Sequence, residues 1–149
     1  GAALASDEVW TNADNSLQFN TPVLTNGLLF GLSALNSVFC VHTENGQTAW
    51  NVPLTGDATP EARPDTADRG RGGRRGRGGG GYGSLVNAGP VLLALTPAAE
   101  LVVFEVSDKE FRKLASYKVA SEGTYAHPVA VGQSIYIQDQ EAVTLWTIE

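Results

Sequence analysis

Cysteine is nearly absent from this sequence: Cys40 is the only one in 149 residues. A single thiol excludes an internal disulfide and a thiolate zinc cage. It is compatible with the cytosol and with an exported protein that relies on its core. Long apolar runs are missing too, and none approaches the roughly 20 residues that span a bilayer. The opening GAALASDE has small residues but neither a basic n-region nor a long apolar stretch, so it is not an intact signal peptide. It reads either as what remains after processing or as an arbitrary boundary. Helical periodicity is scarce, and no Ser-His-Asp arrangement, Walker loop, CxxC or HExxH occurs.

Positive charge is scarce everywhere but in one place. The stretch RGRGGRRGRGGGGYGS, residues 69–84, holds five arginines and nine glycines, and once those arginines are set aside the net charge of −6 becomes −11. An acidic body of this kind makes a poor general partner for DNA or RNA, because phosphate binding requires neutralising lysines and arginines. Nucleic acid is therefore not an expected partner of the chain as a whole.

What the sequence has in abundance is short runs of Val, Ile, Leu, Phe and Tyr between turn residues, the pattern of β structure. Three segments align: residues 21–50, 85–106 and 127–148. Each reads as a strand, a turn with glycine, a second strand, a polar or small-residue turn and a third strand. From turn glycine to third strand is 11 residues (Gly27 to Val38), 12 (Gly89 to Leu101) and 11 (Gly132 to Val143). The first two copies continue into a fourth strand, TAWNVPL (48–54) after the Asn45-Gly46 hairpin signal and RKLASYKV (112–119). Repeated four-stranded antiparallel units are the signature of β-propeller blades. The third copy stops without a fourth strand, while the N-terminus supplies an orphan one around Trp10 in SDEVWTNAD.

The reading that follows is all-β: a single β-propeller region over residues 1–149, built from about three four-stranded blades. Inner strands are expected at TPVLT (21–25), SLVNA (84–88) and HPVAV (127–131), and outer strands at EVW (8–10), TAWNV (48–52) and LASYKV (114–119). The turn glycines lie 62 residues apart across the first junction and 43 across the second. The excess makes residues 57–83 an Arg/Gly-rich loop inserted between the first and second blades.

NSVFCVHTENGQTAW, in which a third strand leads through a glycine turn to a tryptophan, resembles the repeat of pyrroloquinoline-quinone-type (PQQ-like) β-propellers. TYAHPVAVGQSIYIQDQEAVTLWTI resembles the final repeat of such chains, while the second copy lacks the Gly and Trp pair. The resemblance implies a propeller whose ring is larger than three blades, so this chain is similar to the C-terminal part of a longer one. Two ways of completing the ring stay open: missing blades upstream in one polypeptide, or further copies of this chain, the orphan strand of one completing the third blade of another. Since a fold does not fix function, the expected role is a non-enzymatic scaffold or protein-interaction module, periplasmic or extracellular and part of a larger assembly. The rival is a fragment of a quinoprotein oxidoreductase, which would use PQQ with calcium held by residues outside this chain; no cofactor is assigned to the residues present.

Individual residues divide in the same way. Cys40 and His42 share a strand face and form half a metal site at most. The aligned positions hold Val103 and Glu105, then Leu145 and Thr147, which favours one core position and one tolerant position. His127, before Pro128, is expected to make a structural hydrogen bond rather than act as a base. Trp10, Trp50 and Trp146 are read as blade-packing residues. For Arg69, Arg71, Arg74, Arg75, Arg77 and Tyr82 three readings stand: a loop with no specific role, a cationic arm for an acidic neighbour or anionic polymer, and an RGG-type RNA contact.

Overall fold

The computed structural model describes residues 6–17, 19–54, 83–124 and 126–147. Within them eleven strands form three antiparallel sheets, and there is no helix. Sheet 1 is β1 (Val23–Thr25), β2 (Leu28–Leu32), β3 (Ser37–His42) and β4 (Thr48–Pro53). Sheet 2 is β5 (Ser84–Asn87), β6 (Val91–Leu95), β7 (Glu100–Glu105) and β8 (Lys113–Lys118). Sheet 3 has three strands, β9 (Val129–Val131), β10 (Ser134–Gln138) and β11 (Val143–Thr147). Each sheet is a meander in which strands pair only with their neighbours in sequence.

The turns explain why these strands form. The three glycines of the repeat, Gly27, Gly89 and Gly132, all have positive φ, at 73°, 89° and 58°. At the opposite end of the sheets, Ser33 and Thr96 close equivalent turns. Asn36 N–H donates to Ser33 O and Ala99 N–H to Thr96 O, both at 3.0 Å. The hydroxyls of Ser33 and Thr96 accept from the backbone of Ser37 and Glu100. Asp139 does the same work in sheet 3, its carboxylate accepting from the N–H groups of Glu141 and Ala142. Sheets 1 and 2 also share a bulge in the same place: Ala49 is extra between Cys40↔Trp50 and Val41↔Thr48, and Leu114 between Val103↔Ala115 and Phe104↔Lys113.

Because side chains alternate across a strand, each sheet has two faces, and equivalent faces meet in series. Leu28, Phe30, Leu32, Val38 and Cys40 of sheet 1 pack on Leu92, Ala94, Val102 and Phe104 of sheet 2. The opposite face of sheet 2, with Leu93, Leu95, Leu101 and Val103, packs on Ile135, Ile137 and Ala130 of sheet 3. Fully buried residues such as Phe30 and Phe104 each contribute about 1.5–3 kcal/mol relative to exposure. The backbones of neighbouring sheets come nearest at their first strands, β5 lying against β1 and β2 on one side and β9 on the other.

One expected strand is absent. Residues 8–10 pair with no strand; the segment from Trp10 to Leu17 instead lies on the outer face of sheet 1, over Leu29, Phe39 and Val41. It is held by side chains rather than by a ladder. Asn12 Nδ2 donates to Gly46 O (2.7 Å) and to Thr48 Oγ1 (3.0 Å), Asn15 Nδ2 donates to the same hydroxyl (2.6 Å), and Asn51 Nδ2 donates to Asn15 Oδ1 (2.7 Å). These polar side chains satisfy one another along β4, so the segment keeps its place without backbone pairing.

Candidate functional site

A concave surface lies between sheets 1 and 2, at the end that carries the glycine turns. A cleft of about 500 Å³ is lined by the β1–β2 turn (Asn26, Gly27), by His42 at the end of β3 with Thr43 and Glu44 after it, and by Val106, Ser107 and Asp108 after β7. Its floor is the seam between the sheets. There Trp50 stands against Phe30 and Phe111, with ring centroids 5.9 and 5.7 Å away, and donates its indole N–H to Ser107 O at 3.0 Å. One tryptophan thus ties the fourth strand of one sheet to the loop after the third strand of the next.

Cys40 and His42 do share a face of β3, but they end in different surroundings. Cys40 is fully buried in the seam opposite Trp50, and burial, reinforced by the charge of Asp108, raises its thiol to about 11. At neutral pH it is a protonated, inaccessible group, the opposite of what a nucleophile or metal-binding thiolate requires. His42 is half-buried at the mouth of the cleft, across from Leu28. Among the described residues no group of three or more His, Cys, Asp or Glu side chains is arranged to hold a metal ion. The lining carboxylates of Glu44 and Asp108 make the cleft acidic, suited to a cationic group rather than an anionic cofactor.

His127 is exposed, and among the described residues it makes no hydrogen bond, which corrects the structural bond expected of it. The tie at this junction comes instead from a residue the sequence reading passed over: the buried hydroxyl of Thr124 donates to Thr96 O at 2.9 Å, joining the approach to sheet 3 to the end of β6. Arg69, Arg71, Arg74, Arg75, Arg77 and Tyr82 lie outside the described residues. The described chain stops at Leu54, whose N–H donates to Asn36 O, and resumes at Gly83, which is wedged between Leu32 and the carbonyl of Leu95.

The three tryptophans occupy three different situations. Trp50 fills a seam. Trp146, opposite Ile135 on the outermost strand of sheet 3, stays 38% exposed. Trp10 donates its indole N–H to Thr43 O at 2.8 Å and lies flat on Gly46, where a Cβ would come within 2.6 Å of the ring; glycine, with φ +72°, is required there on both counts. Beneath this segment an apolar slot of about 140 Å³ remains against Leu29, Phe39 and Val41.

No family model matches the chain, and no curated protein matches it. Among solved structures, the chain is similar to the computationally designed Ika4 protein, with a TM-score of 0.50 at 6% identity, covering 97% of this chain and 100% of that one. It also aligns with the computationally designed Ika8 protein, with a TM-score of 0.40 at 8% identity, over 87% of this chain and 45% of that one. The first likeness concerns the arrangement of sheets alone.

Proposed function

We propose that the three sheets are blades of a PQQ-like β-propeller and that the chain works as a non-enzymatic scaffold or protein-interaction module, exported and part of a larger assembly at the envelope or outside the cell. The observation that carries this reading is the serial stacking: equivalent faces meet at both junctions, and the sheets come closest at their first strands. Such a stack presents loops at the ends of a rigid frame, and binding residues concentrate on loops so placed. The acidic cleft between the first two sheets is the surface best formed for a basic side chain of a partner. Cys40, buried and protonated, offers the cleft no thiolate.

Tryptophan fluorescence during titration with PQQ and Ca²⁺ tests this reading. No saturable change is the expected outcome. Saturable binding would move the chain to the quinoprotein oxidoreductases. A polyanion affinity that falls steeply with salt and disappears on deletion of residues 69–81 would instead assign the Arg/Gly-rich loop as the binding element.

A further inference from the structure

Among the described residues two surfaces are unfinished, and they match. Sheet 3 lacks a fourth strand: among the described residues β11 pairs only with β10. The face of sheet 3 that continues the series is also bare. Val129, Val131, Tyr136, Val143 and Leu145 are between 43% and 66% exposed on it, flanking a polar stripe of Ser134 and Gln138. The corresponding faces of sheets 1 and 2 are both covered by the sheet that follows.

The free edge of β11 differs from the other two edges. Outer strands invite pairing unless they are blunted by charge, proline or a bulge. β4 has Pro53 and the bulge at Ala49; β8 has Lys113, Lys118 and the bulge at Leu114. β11, Val-Thr-Leu-Trp-Thr, has no charge and no proline, and its pairing with β10 runs without a register shift. Two edges are closed to further strands and one is left open.

The missing strand has a counterpart at the other end of the molecule. Trp50, on the fourth strand of sheet 1, reaches forward to sheet 2: its indole donates to Ser107 O in the loop after β7, and its ring packs on Phe111, two residues before β8 begins. Trp10 makes the same pair of contacts one sheet earlier. Its indole donates to Thr43 O in the loop after β3, and its ring packs on Gly46, two residues before β4 begins. Trp10 therefore sits on sheet 1 where the fourth strand of a preceding sheet would sit. Beneath this segment Phe39 and Val41 are already buried, and only a small slot is left against them.

From this correspondence we infer that the chain associates head-to-tail with a second copy of itself. The segment around Trp10 of one copy, held on its own sheet 1, becomes the fourth strand beside β11 of the other, and the bare face of sheet 3 stacks on the outer face of sheet 1. The proposal rests on the serial-blade reading given above and names its partner. A second copy supplies both halves in the right chemistry: an unblunted edge with a segment placed to complete it, and an outer face of sheet 1 on which Leu24 is exposed. A head-to-tail contact uses two different surfaces and gives a ring of defined size when the rotation closes. The serine and glutamine among the apolar side chains match a contact that forms between separately folded chains rather than a permanently buried core.

Native mass measurement of the full chain at micromolar concentration tests the inference. The expected result is a discrete species of at least twice the 15.7 kDa of one chain. Trp10→Ala and Leu145→Lys, at the two ends, should each lower it to a single chain. Leu35→Lys, at an exposed apolar residue on neither surface, should leave the mass unchanged. Because Leu145 is exposed in the single chain, its lysine variant is expected to keep its far-ultraviolet β signal, which separates lost association from lost folding. A wild-type chain that stays single overturns the inference, whether the free surfaces await upstream sheets of a longer polypeptide or a different protein. A multiple mass retained by either end variant overturns it too. Neither outcome bears on the cofactor titration, so failure of self-association and failure of the scaffold reading are read from separate experiments.

Discussion

The seam between sheets 1 and 2 and the free face of sheet 3 are built from equivalent positions of one repeat, yet one is packed solid and the other is open. In the seam, Phe30, Cys40 and Phe104 are fully buried and Trp50 is bonded to the neighbouring loop. On the free face, Tyr136 and Leu145 stand at the positions of Phe30 and Cys40 and are half exposed. The strands have the same register, but sheet 3 carries Ser134 and Gln138 where sheet 1 has Leu28 and Leu32, and among the described residues no following sheet covers them.

The sharpest way to break the comparison is to empty one side. Phe104→Ala should cost about 3–5 kcal/mol in urea unfolding, since the seam can collapse only partly around the lost ring. Val143→Ala on the free face, measured where the chain is single, should cost less than about 0.5 kcal/mol. Equal losses would mean that the two surfaces are not equivalent in the way described.

The strand positions were legible because turn chemistry and apolar runs agree. β1, β5 and β9 fall within the stretches expected as inner strands, and β4 and β8 within those at the end of the first two copies. The patterns even report position in the stack. LLFGL and VLLAL, covered on both faces, read as nearly continuous apolar runs, whereas SIYIQ, bare on one face, alternates. The N-terminal segment was misjudged because Trp10 and Val9 suggested a strand. What holds it is a set of cross-links among Asn12, Asn15, Thr48 and Asn51, and side-chain bonds between residues more than thirty apart leave no periodic signal. Thr124, whose bond reaches a residue 28 positions away, likewise leaves no periodic signal. The cleft was legible only in its parts: His42 attracted attention, but Ser107 and Asp108 come to it through the stacking of two sheets.

A second test uses the thiol buried in the seam. With its pKa raised to about 11, Cys40 stays protonated in the folded chain after the unfolded chain has begun to ionise. The stability it supports is whole below pH 9.0 and declines as pH rises toward about 11, by up to roughly 3 kcal/mol. Denaturation midpoints of wild type and Cys40→Ala should therefore converge across that window. A wild-type chain with no loss specific to alkaline pH would argue against a closed seam. Trp50→Phe has a smaller effect, keeping most of the ring but leaving Ser107 O without its donor, at a cost of about 1 kcal/mol.

The smallest effect belongs to sheet 3. Two backbone N–H bonds, from Glu141 and then Ala142, hold the Asp139 carboxyl below its ordinary pKa; its contribution is present above the ordinary value and lost as pH falls through the lowered one. Comparing the acid limbs of wild type and Asp139→Ala should show a difference that vanishes once both are protonated.

The meander topology also sets the order in which the chain assembles. Every ladder joins neighbours in sequence, so each sheet can zip up with short closures, and only the stacking steps bring distant segments together. Those steps are unequal. Between β4 and β5 lie residues 54–83, and between β8 and β9 only residues 119–128, a third of the length. By loop-closure entropy the longer connection costs about 1 kcal/mol more. Sheets 2 and 3 should therefore dock before sheet 1 joins them, and shortening the Arg/Gly-rich connection should speed refolding while leaving the unfolding rate nearly untouched.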